Sequence, residues 1–576
     1  MNRFRPFILL AAVISAALLA YGLFTLPSPK GPDAEGFSSA RVVKDIEVIS
    51  QEHHSVAHPE ERARVREYLV QRLSQLGADT VRVFRYDSLT GPQNKHVSYT
   101  FDAYNIVADF APVQEVADTA ARLLFVAHYD SRYSQPFARD TVWSYGAADD
   151  GYGVGVILET VSCLLEDRDR WKQGVKVLFT DAEEVGMMGM KAMWENDRQE
   201  FDNVGLMINV EARGPWGPAL LFEACPGNEK VTDLYASSAS SPYTYSLTTV
   251  VYRFMPNFTD FTIVKDSIPG LNFSTITDVN HYHTHLDNFD NISEKSIQHY
   301  GAQILPLARE YVTNPEYAGK DALRAERDAV NFTIPLIGML NFSKTGYTVV
   351  NVVIFLLFLV LFGLEGVRGR IKATKVFAQS VKVLGFALVA LAAGELVAFV
   401  CGKIAGVAFK PFGIMQGIMF DNVAMAASVA VMFCICVLAY CLTRAKAVRA
   451  VSASMRASAA RNAAKGHAFN ALYGSLALVF LLSAVLLIAL GENMMFLIPL
   501  AAAVLAMILY HMTNLRVWLL AAIVLILLHS FSFYHALAMA LTIGALGAVM
   551  MLVFFDFMVL IPLADLYLMP SAGKKR

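Results

Sequence analysis

The feature that most constrains this chain is a series of long apolar segments in its C-terminal part. From about Tyr347 onward, runs with few or no charged residues alternate with short polar loops. An α-helix rises about 1.5 Å per residue, so about 20 apolar residues can cross the hydrocarbon core of a bilayer. The sequence therefore predicts about seven transmembrane helices, near residues 347–364, 376–401, 419–442, 468–490, 493–511, 517–533 and 535–556.

A further apolar segment, from Phe7 to Leu26, lies near the N-terminus and contains no charged residue. Its length favours an uncleaved transmembrane anchor, because the apolar core of a secretory signal peptide is usually shorter. A cleaved signal peptide is the alternative. Arg3 and Arg5 precede the segment, which predicts that the N-terminus lies in the cytoplasm.

Basic residues in the loops predict the orientation of the C-terminal spans. They follow the first, third and fifth spans and end the chain: Arg368, Arg370, Lys372, Lys375; Arg444, Lys446, Arg449, Arg456, Arg461, Lys465; Arg516; and Lys574, Lys575, Arg576. Cytoplasmic loops are enriched in lysine and arginine, so every second loop is expected in the cytoplasm. The residues that precede the first of these spans are then expected on the opposite side of the membrane, provided that the spans number seven.

Residues 27 to about 330 have the pattern of a soluble α/β domain. Short apolar runs (RLLFVAHYD, VKVLFTD, VGLMINVEARG, ALLFEA and GLNFSTI) alternate with helix-like stretches. This alternation predicts a mixed, largely parallel sheet flanked by helices, joined to an all-α membrane domain. The predicted domains are an N-terminal anchor (1–26), the soluble domain (27–330), a linker (331–346) and the membrane domain (347–576).

Charge is distributed unevenly between these two parts. The part before Val349 contains 44 of the 50 acidic residues but only 31 of the 48 lysines and arginines. This acidic excess, without a basic recognition motif, makes nucleic acid an unsuitable partner. The apolar spans instead predict a lipid bilayer as the surroundings of the C-terminal part.

Polar residues cluster where the predicted strands of the soluble domain end. They are His128 and Asp130 in AHYDS, Asp149 and Asp150 in AADDGYG, Glu183 and Glu184 in TDAEEVG, Glu211 in NVEARG, and His281, His283 and His285 in HYHTHLDN. Each motif alone has an ordinary interpretation: a turn, a helix N-terminus or a surface pair. Together they lie at the strand ends where α/β folds place their sites, and zinc takes such nitrogen and oxygen ligands.

The order H-x-D, D-D-G, E-E-x-G, N-x-E and Y-H-T-x-x-D resembles the co-catalytic di-zinc aminopeptidases. The similarity is greatest to their membrane relatives, the endoplasmic reticulum metallopeptidases and vacuolar membrane proteases. The matching motifs lie between Leu124 and Ile292. The resemblance implies a zinc exopeptidase that hydrolyses peptides and carries two zinc ions per chain.

The resemblance also implies a role for each matching residue. One zinc ion would be held by His128 and Glu211, the other by Glu184 and His283, and Asp149 would bridge both. Glu183 would be the general base, and Asp130 would orient a neighbouring group without binding the metal itself. His281 and His285 have no counterpart in the motif. Asp181 stays unassigned, with a strand-end capping role expected.

Two other functions are compatible with parts of the sequence. AHYDSRY also resembles the single-zinc glutaminyl cyclases, but Tyr282 stands where those proteins have tryptophan. A catalytically inactive, receptor-like domain is the second alternative, although none of the five ligands or the base is missing. One departure from the family lies in NFTDF, where Asn257 and Phe258 replace its S-D; this leaves the role of Asp260 open.

The compartment follows from orientation and glycosylation signals. N-x-S/T sequons occur at Asn257, Asn272, Asn291, Asn331 and Asn341. These would be glycosylated in a lumen, and a glycan at Asn291 would crowd the predicted site. The sequence therefore favours a bacterial inner membrane with the soluble domain in the periplasm. An endoplasmic reticulum membrane with a luminal domain is the alternative, and nothing in the sequence predicts the oligomeric state.

Overall fold

The computed structural model describes residues 4–20, 26–94, 97–113, 120–133, 143–253, 255, 257–404, 427–432, 434–439, 442 and 457–569. The chain divides into two compact units. The first, the membrane unit, comprises Met1–Phe24, Ile334–Leu336 and Thr345–Arg576; the second, the soluble unit, comprises Thr25–Thr333 and Ile337–Lys344.

A seven-stranded sheet forms the centre of the soluble unit. Its strands are β1 (Thr80–Asn94), β2 (Val97–Phe110), β3 (Arg122–His128), β4 (Gly174–Thr180), β5 (Val204–Ala212), β6 (Trp216–Ala224) and β7 (Gly270–Thr277), in the order β1-β2-β4-β3-β5-β7-β6. The four strands β4, β3, β5 and β7 run parallel, and the remaining pairings are antiparallel. The predicted fold class, a mixed sheet flanked by helices, is confirmed.

The buried strands explain why the sequence pattern identified some elements and missed others. Every residue of β4 and β5 is buried, which gives the continuous apolar runs expected of strands covered on both faces. The β1–β2 pair was not predicted. In β1, residues 81–86 read V-R-V-F-R-Y, and the charged residues interrupt the apolar run.

Helices pack against this sheet and position the loops at its edge. They are α2 (Ser39–Ile49), α3 (Pro59–Gln75), α4 (Gly151–Leu165), α5 (Met188–Asn196), α6 (Glu229–Ser238), α7 (Ser246–Tyr252), α8 (Asp260–Val264) and α9 (Glu294–Thr313). Helices α4 and α9 contact the central strand β3, whereas α3 and α5 contact β1 and β2. His128 pairs with Thr180 at the ends of β3 and β4, so the segments that follow these two strands start side by side.

Residues 331–346, predicted as a linker, contain regular structure. Strands β8 (Val330–Ile334) and β9 (Gly338–Phe342) form a separate two-stranded sheet. The amide of Asn341 donates to Asp233 of α6 over 2.6 Å, and Phe332 forms a β-bridge with Tyr245. These contacts connect the segment to the soluble unit.

The membrane unit consists of apolar helices. They are α1 (Arg5–Ala20), α10 (Lys344–Val367), α11 (Ala373–Ile404), α12 (Ala457–Leu490), α13 (Met494–Thr513), α14 (Val517–Leu541) and α15 (Leu546–Leu568). Among the described residues, six helices are long and apolar enough to cross a membrane, with mean hydropathy between 2.1 and 2.6; α1, with 16 residues, is shorter.

The six long helices overlap six of the seven predicted spans. Within the span predicted near 419–442, the described residues 427–432, 434–439 and 442 are helical. The other residues of this span lie outside the described part of the chain, and the span stays a prediction. The last two helices extend beyond their predicted ends: α14 continues to Leu541 and α15 to Leu568. The apolar stretch after Asp556 is thus part of α15.

Asp181, which the sequence left without a role, forms a buried ion pair. Its carboxylate lies 3.1 Å from the guanidinium of Arg62, with Asp181 fully buried and Arg62 only 3% exposed. Asp181 also accepts a hydrogen bond from the amide of Tyr104, and Arg62 donates to the carbonyl of Asp102. The pair therefore connects α3 to β2 and to the segment that follows β4.

We expect Arg62→Met to destabilise the soluble unit by about 3–5 kcal/mol, because the Asp181 charge would remain buried without its partner. Urea-dependent proteolysis of the full chain in detergent measures this change. The matched control is Arg64→Met: Arg64 is 61% exposed and pairs with the exposed Glu52, so its loss should cost less than about 1 kcal/mol. Equal effects of the two substitutions would contradict the prediction.

Candidate metal centre

Six of the predicted site residues lie at one edge of the sheet. His128 is the last residue of β3, and Glu211 is the last but one of β5. Glu183 and Glu184 lie in the turn between β4 and α5, Asp149 lies just before α4, and His283 follows β7. The parallel orientation of these strands brings their carboxyl ends together, as α/β folds do.

Asp149 lies between the two predicted histidine ligands. Its Oδ1 is 3.2 Å from Nε2 of His128, and its Oδ2 is 3.1 Å from Nε2 of His283. Glu184 Oε2 lies 3.1 Å from the same nitrogen of His283, and Glu211 Oε2 lies 3.7 Å from Nε2 of His128. The five predicted ligands thus form one continuous cluster with Asp149 at its centre.

Two groups within this cluster have ligand atoms close enough to share a metal ion. His128, Asp150 and Glu211 form one, and Asp149, Glu184 and His283 form the other, with all ligand atoms of a group within 4.8 Å of one another. Within these two groups, three buried carboxylate oxygens have no hydrogen-bond partner among the described residues: Asp149 Oδ2, Asp150 Oδ2 and Glu184 Oε1. Imidazole nitrogens and carboxylate oxygens are the donors that zinc takes, so the cluster fits that metal.

Asp150 was not among the predicted ligands, but it belongs to the first of these two groups. Its other oxygen, Oδ1, accepts a hydrogen bond from the amide of Gly153 over 2.9 Å and caps the N-terminus of α4. Among the described residues, the carboxylate of Asp149 has no such backbone partner, and its two oxygens face two different histidines. The two adjacent aspartates thus differ in their surroundings: Asp150 caps helix α4, whereas Asp149 lies between the two histidines.

Asp130 connects the end of β3 to the glutamate turn. Its carboxylate accepts hydrogen bonds from the amides of Glu183, over 2.9 Å, and Glu184, over 3.3 Å. Its backbone carbonyl lies 2.9 Å from Nδ1 of His128. The Asp130 carboxylate lies farther from the His128 ring, 3.6 Å from Nδ1, so the main contribution of this carboxylate is to hold the turn.

Burial and neighbouring charges shift the pKa values of the carboxyl groups in the cluster. Burial, with a smaller contribution from Asp149 and Asp260, raises the pKa of Glu211 to about 8 against the opposing effect of His128. Burial also raises the pKa of Glu183 well above its usual value; His128 opposes this effect, and Glu211, Asp260 and Glu184 reinforce it. The Glu183 carboxyl thus lies among the candidate ligands.

Asp287 was missed by the sequence analysis as a site residue. It is buried, and its carboxylate accepts hydrogen bonds from the amides of Ala148 and Asp149 over 2.7 and 3.3 Å. The hydroxyl of Ser144 donates to it as well. The signal was present, since Asp287 is the aspartate of the Y-H-T-x-x-D motif. Its contacts show that it holds the segment that carries Asp149.

Two further residues complete the cluster. Asp260, whose role the sequence left open, is buried and accepts a hydrogen bond from the hydroxyl of Thr180. Arg132 lies 3.3 Å from Glu184 Oε2 and donates to the carbonyl of the same residue. The remaining histidines of the HYHTHLDN run lie outside both candidate groups: His281 contacts the carbonyl of Asp278, and His285 is exposed.

Residues 105–308 match a known family, described as peptidase family M28. The core of the soluble unit matches peptidase family M28. The matched range includes every candidate ligand, and the resemblance inferred from the motifs is confirmed.

The chain is also similar to curated proteins named as a metallopeptidase and a membrane protease. The chain is 28% identical over 236 residues to endoplasmic reticulum metallopeptidase 1 of Mus musculus, covering 39% of this chain and 24% of that protein. It is 26% identical over 330 residues to the vacuolar membrane protease of Candida tropicalis, covering 55% and 33%. The chain thus spans about a quarter to a third of the length of these relatives. The apolar helices make the chain a membrane protein, and its residues 105–308 match peptidase family M28.

Solved structures resemble about half of this chain. A glutaminyl cyclase of Porphyromonas gingivalis is 19% identical, with a TM-score of 0.39, over 48% of this chain and all of the other. A Zn-dependent exopeptidase of Parabacteroides distasonis is 18% identical, with a TM-score of 0.37, over 48% of this chain and 98% of the other.

We expect Asp287→Asn to lower zinc affinity by about 10–100-fold, because an amide cannot accept both backbone hydrogen bonds that hold the Asp149 segment. Competition with a chelator measures this affinity in the purified full chain. Asp290→Asn is the matched control, since Asp290 is exposed three residues away. An unchanged affinity in Asp287→Asn, or an equal loss in the control, would contradict the prediction.

Proposed function

We propose that this chain is a membrane-anchored zinc exopeptidase of the aminopeptidase type, with two zinc ions in the centre described above. The observation that carries the proposal is the position of Asp149, whose two oxygens each face a different histidine. A carboxylate in this position can bridge two ions, and the match to peptidase family M28 supports peptide hydrolysis as the reaction.

The ligand assignment follows from the two halves of the cluster. His128 and Glu211 would hold one zinc ion, Glu184 and His283 the other, and Asp149 would contact both. When bound, a pair of zinc ions lowers the pKa of a water molecule and polarises the scissile carbonyl. Asp130 and Asp287 would hold the ligand-bearing segments in position, because their carboxylates accept hydrogen bonds from the backbone amides of those segments.

Glu183 is the group that moves protons. It would take a proton from the attacking water and deliver it to the nitrogen of the leaving amine, so one carboxylate serves both halves of the reaction. Burial raises the pKa of its carboxyl group, which makes this carboxylate a stronger base for the proton of the water. The hydrogen bond from the Glu183 amide to Asp130 fixes the backbone of this residue while its side chain stays among the ligands.

Asp260 is a candidate for recognising the α-amino group of the substrate. It is buried, and one of its oxygens, Oδ1, has no hydrogen-bond partner among the described residues. Its charge influences Glu183 and Glu211, so it lies near the reacting groups. An ammonium group held there would place the first peptide bond of the substrate at the metal centre, which is the requirement for an exopeptidase.

The soluble unit is expected on the extracytoplasmic side of a bacterial inner membrane. It precedes α10 in the chain, and the basic residues Arg368, Arg370 and Lys372 follow the opposite end of that helix. Of the sequons, Asn272 lies in β7 with its amide buried against Glu223 and Thr259 and is not accessible to glycosylation. Peptides of that compartment are the proposed substrates.

We expect Glu183→Gln to lower the release of N-terminal amino acids by about 10²–10⁴-fold while zinc content stays unchanged, because glutamine cannot accept the proton of the water. Aminoacyl-anilide and peptide substrates measure the activity, and elemental analysis measures the zinc. Glu195→Gln, an exposed position on α5, is the control and should keep full activity. Full activity in Glu183→Gln would exclude this residue as the base.

We also expect about two zinc ions per chain, and a reduced content in Asp149→Asn compared with Asp150→Asn. The first substitution removes a ligand from both proposed ions, whereas asparagine at position 150 can still cap α4. A single zinc ion, together with cyclisation of N-terminal glutamine peptides, would identify a glutaminyl cyclase instead. Absence of zinc in the wild-type protein would favour a receptor-like domain.

A further inference from the structure

A buried carboxylate lies near the middle of a membrane-spanning helix, far from the candidate metal centre in the chain. Asp556 is the eleventh of the 23 residues of α15, so about 15 Å of helix precedes it and about 18 Å follows it. Its side chain is 1% exposed. A helix of this length and hydropathy crosses a hydrocarbon core of about 30 Å, which places Asp556 near the bilayer midplane.

The neighbouring helix α14 supplies hydroxyl groups to this carboxylate. Oδ2 of Asp556 accepts a hydrogen bond from the hydroxyl of Ser530, which is also near the middle of its helix. Tyr534, one turn further along α14, is close enough to interact with the same carboxylate. Neither the Tyr534 hydroxyl nor Asp556 Oδ1 makes a hydrogen bond of normal geometry within the described part of the chain.

Titratable side chains on the other helices that contact α15 do not neutralise Asp556. They are Arg5 of α1; Lys375, Lys382, Glu395, Cys401 and Lys403 of α11; Lys465, His467 and Tyr473 of α12; Tyr510 and His511 of α13; and His529 and His535 of α14. None of them is a hydrogen-bond or ion-pair partner of Asp556 among the described residues. Glu395 accepts a hydrogen bond from the amide of Gly547, nine residues earlier in α15.

An ionised carboxylate in this position has a large desolvation cost, and hydroxyl groups cannot cancel its charge. A bound cation can. The donors that converge here are all oxygen atoms, which suit a proton or a hard metal ion. A single carboxylate balances one positive charge, so a divalent ion would leave a net charge buried in the membrane.

We propose that Asp556, Ser530 and Tyr534 form a binding site for a monovalent cation, a proton or a sodium ion, in the middle of the membrane unit. The site is independent of peptide hydrolysis and gives the membrane unit a group whose charge state can change. Ser530 holds one carboxylate oxygen, and the second oxygen and the Tyr534 hydroxyl remain to receive the cation.

The experiment uses the full chain in lipid nanodiscs and the reagent dicyclohexylcarbodiimide, which adds to protonated carboxyl groups in apolar surroundings. Labelled peptides are identified by mass spectrometry between about pH 5.5 and pH 9, a range that spans shifted carboxyl pKa values. Sodium chloride is compared with choline chloride at the same ionic strength. We expect modification of Asp556 that decreases as the pH rises.

The salt comparison distinguishes the two cations. Slower labelling in sodium than in choline would identify sodium as a ligand, whereas equal labelling with a pH dependence would identify a site for protons alone. Both results support the proposal. Labelling of Asp556 that does not change with pH or sodium, or no labelling at any pH, would show a sealed structural carboxyl and would overturn it.

Substitutions test the assignment of the site. Asp556→Asn should abolish the labelled peptide, and Ser530→Ala should shift the pH at which labelling is lost, because the hydrogen bond to Oδ2 disappears. Glu395→Gln is the matched control: it keeps an acceptor for the Gly547 amide and should leave the labelling of Asp556 unchanged. If the Ser530 variant fails to fold, the pH and sodium dependence of the wild-type protein still decides between the outcomes.

Discussion

Repulsion among buried carboxylates is the constraint on which the soluble unit depends. Asp149, Asp150, Glu183, Glu184 and Glu211 share one edge of the sheet with two histidines, and burial makes their negative charges costly. Such a cluster is compatible with a stable fold only when cations or protons neutralise it. The proposed zinc ions meet this requirement and, when bound, supply the chemistry of the site, so a single feature explains both the cost of the cluster and its use.

The topology of the sheet brings these groups together although they are distant from one another in the sequence. Strands β3, β4, β5 and β7 are parallel, so segments that start as far apart in the chain as residues 129 and 278 begin at the same edge of the sheet. Hydrogen bonds from backbone amides complete the positioning. Asp130 accepts them from the turn that contains Glu183 and Glu184, and Asp287 accepts them from the segment that carries Asp149. Carboxylates that bind backbone amides therefore also contribute to forming the centre. The buried Arg62–Asp181 ion pair additionally connects α3 to the segment that follows β4.

The two units use the same physical rule in different solvents. In the soluble unit, buried charges are compensated by ion pairs, backbone amides or a candidate metal centre. In the membrane unit, Glu365 is buried but lies within 3.3 Å of Arg368, Arg370 and His511 near the end of α10. Asp556 has only hydroxyl partners among the described residues, near the middle of its helix. This difference is what singles out Asp556 as a cation site.

The sequence by itself determined the fold class, and it predicted the separation into soluble and membrane parts and most of the residues of the candidate centre, because hydropathy runs and strand-end motifs are local signals. It missed the β1–β2 pair, whose charged residues interrupt the apolar pattern, and the strands of the segment 331–346. Only the tertiary structure decided that Asp149 lies between two histidines while Asp150 caps α4, that Asp287 holds the Asp149 segment, and that Asp181 pairs with Arg62. Each of these is a contact between distant segments, and no local pattern encodes which partner a buried carboxylate meets after the chain has folded.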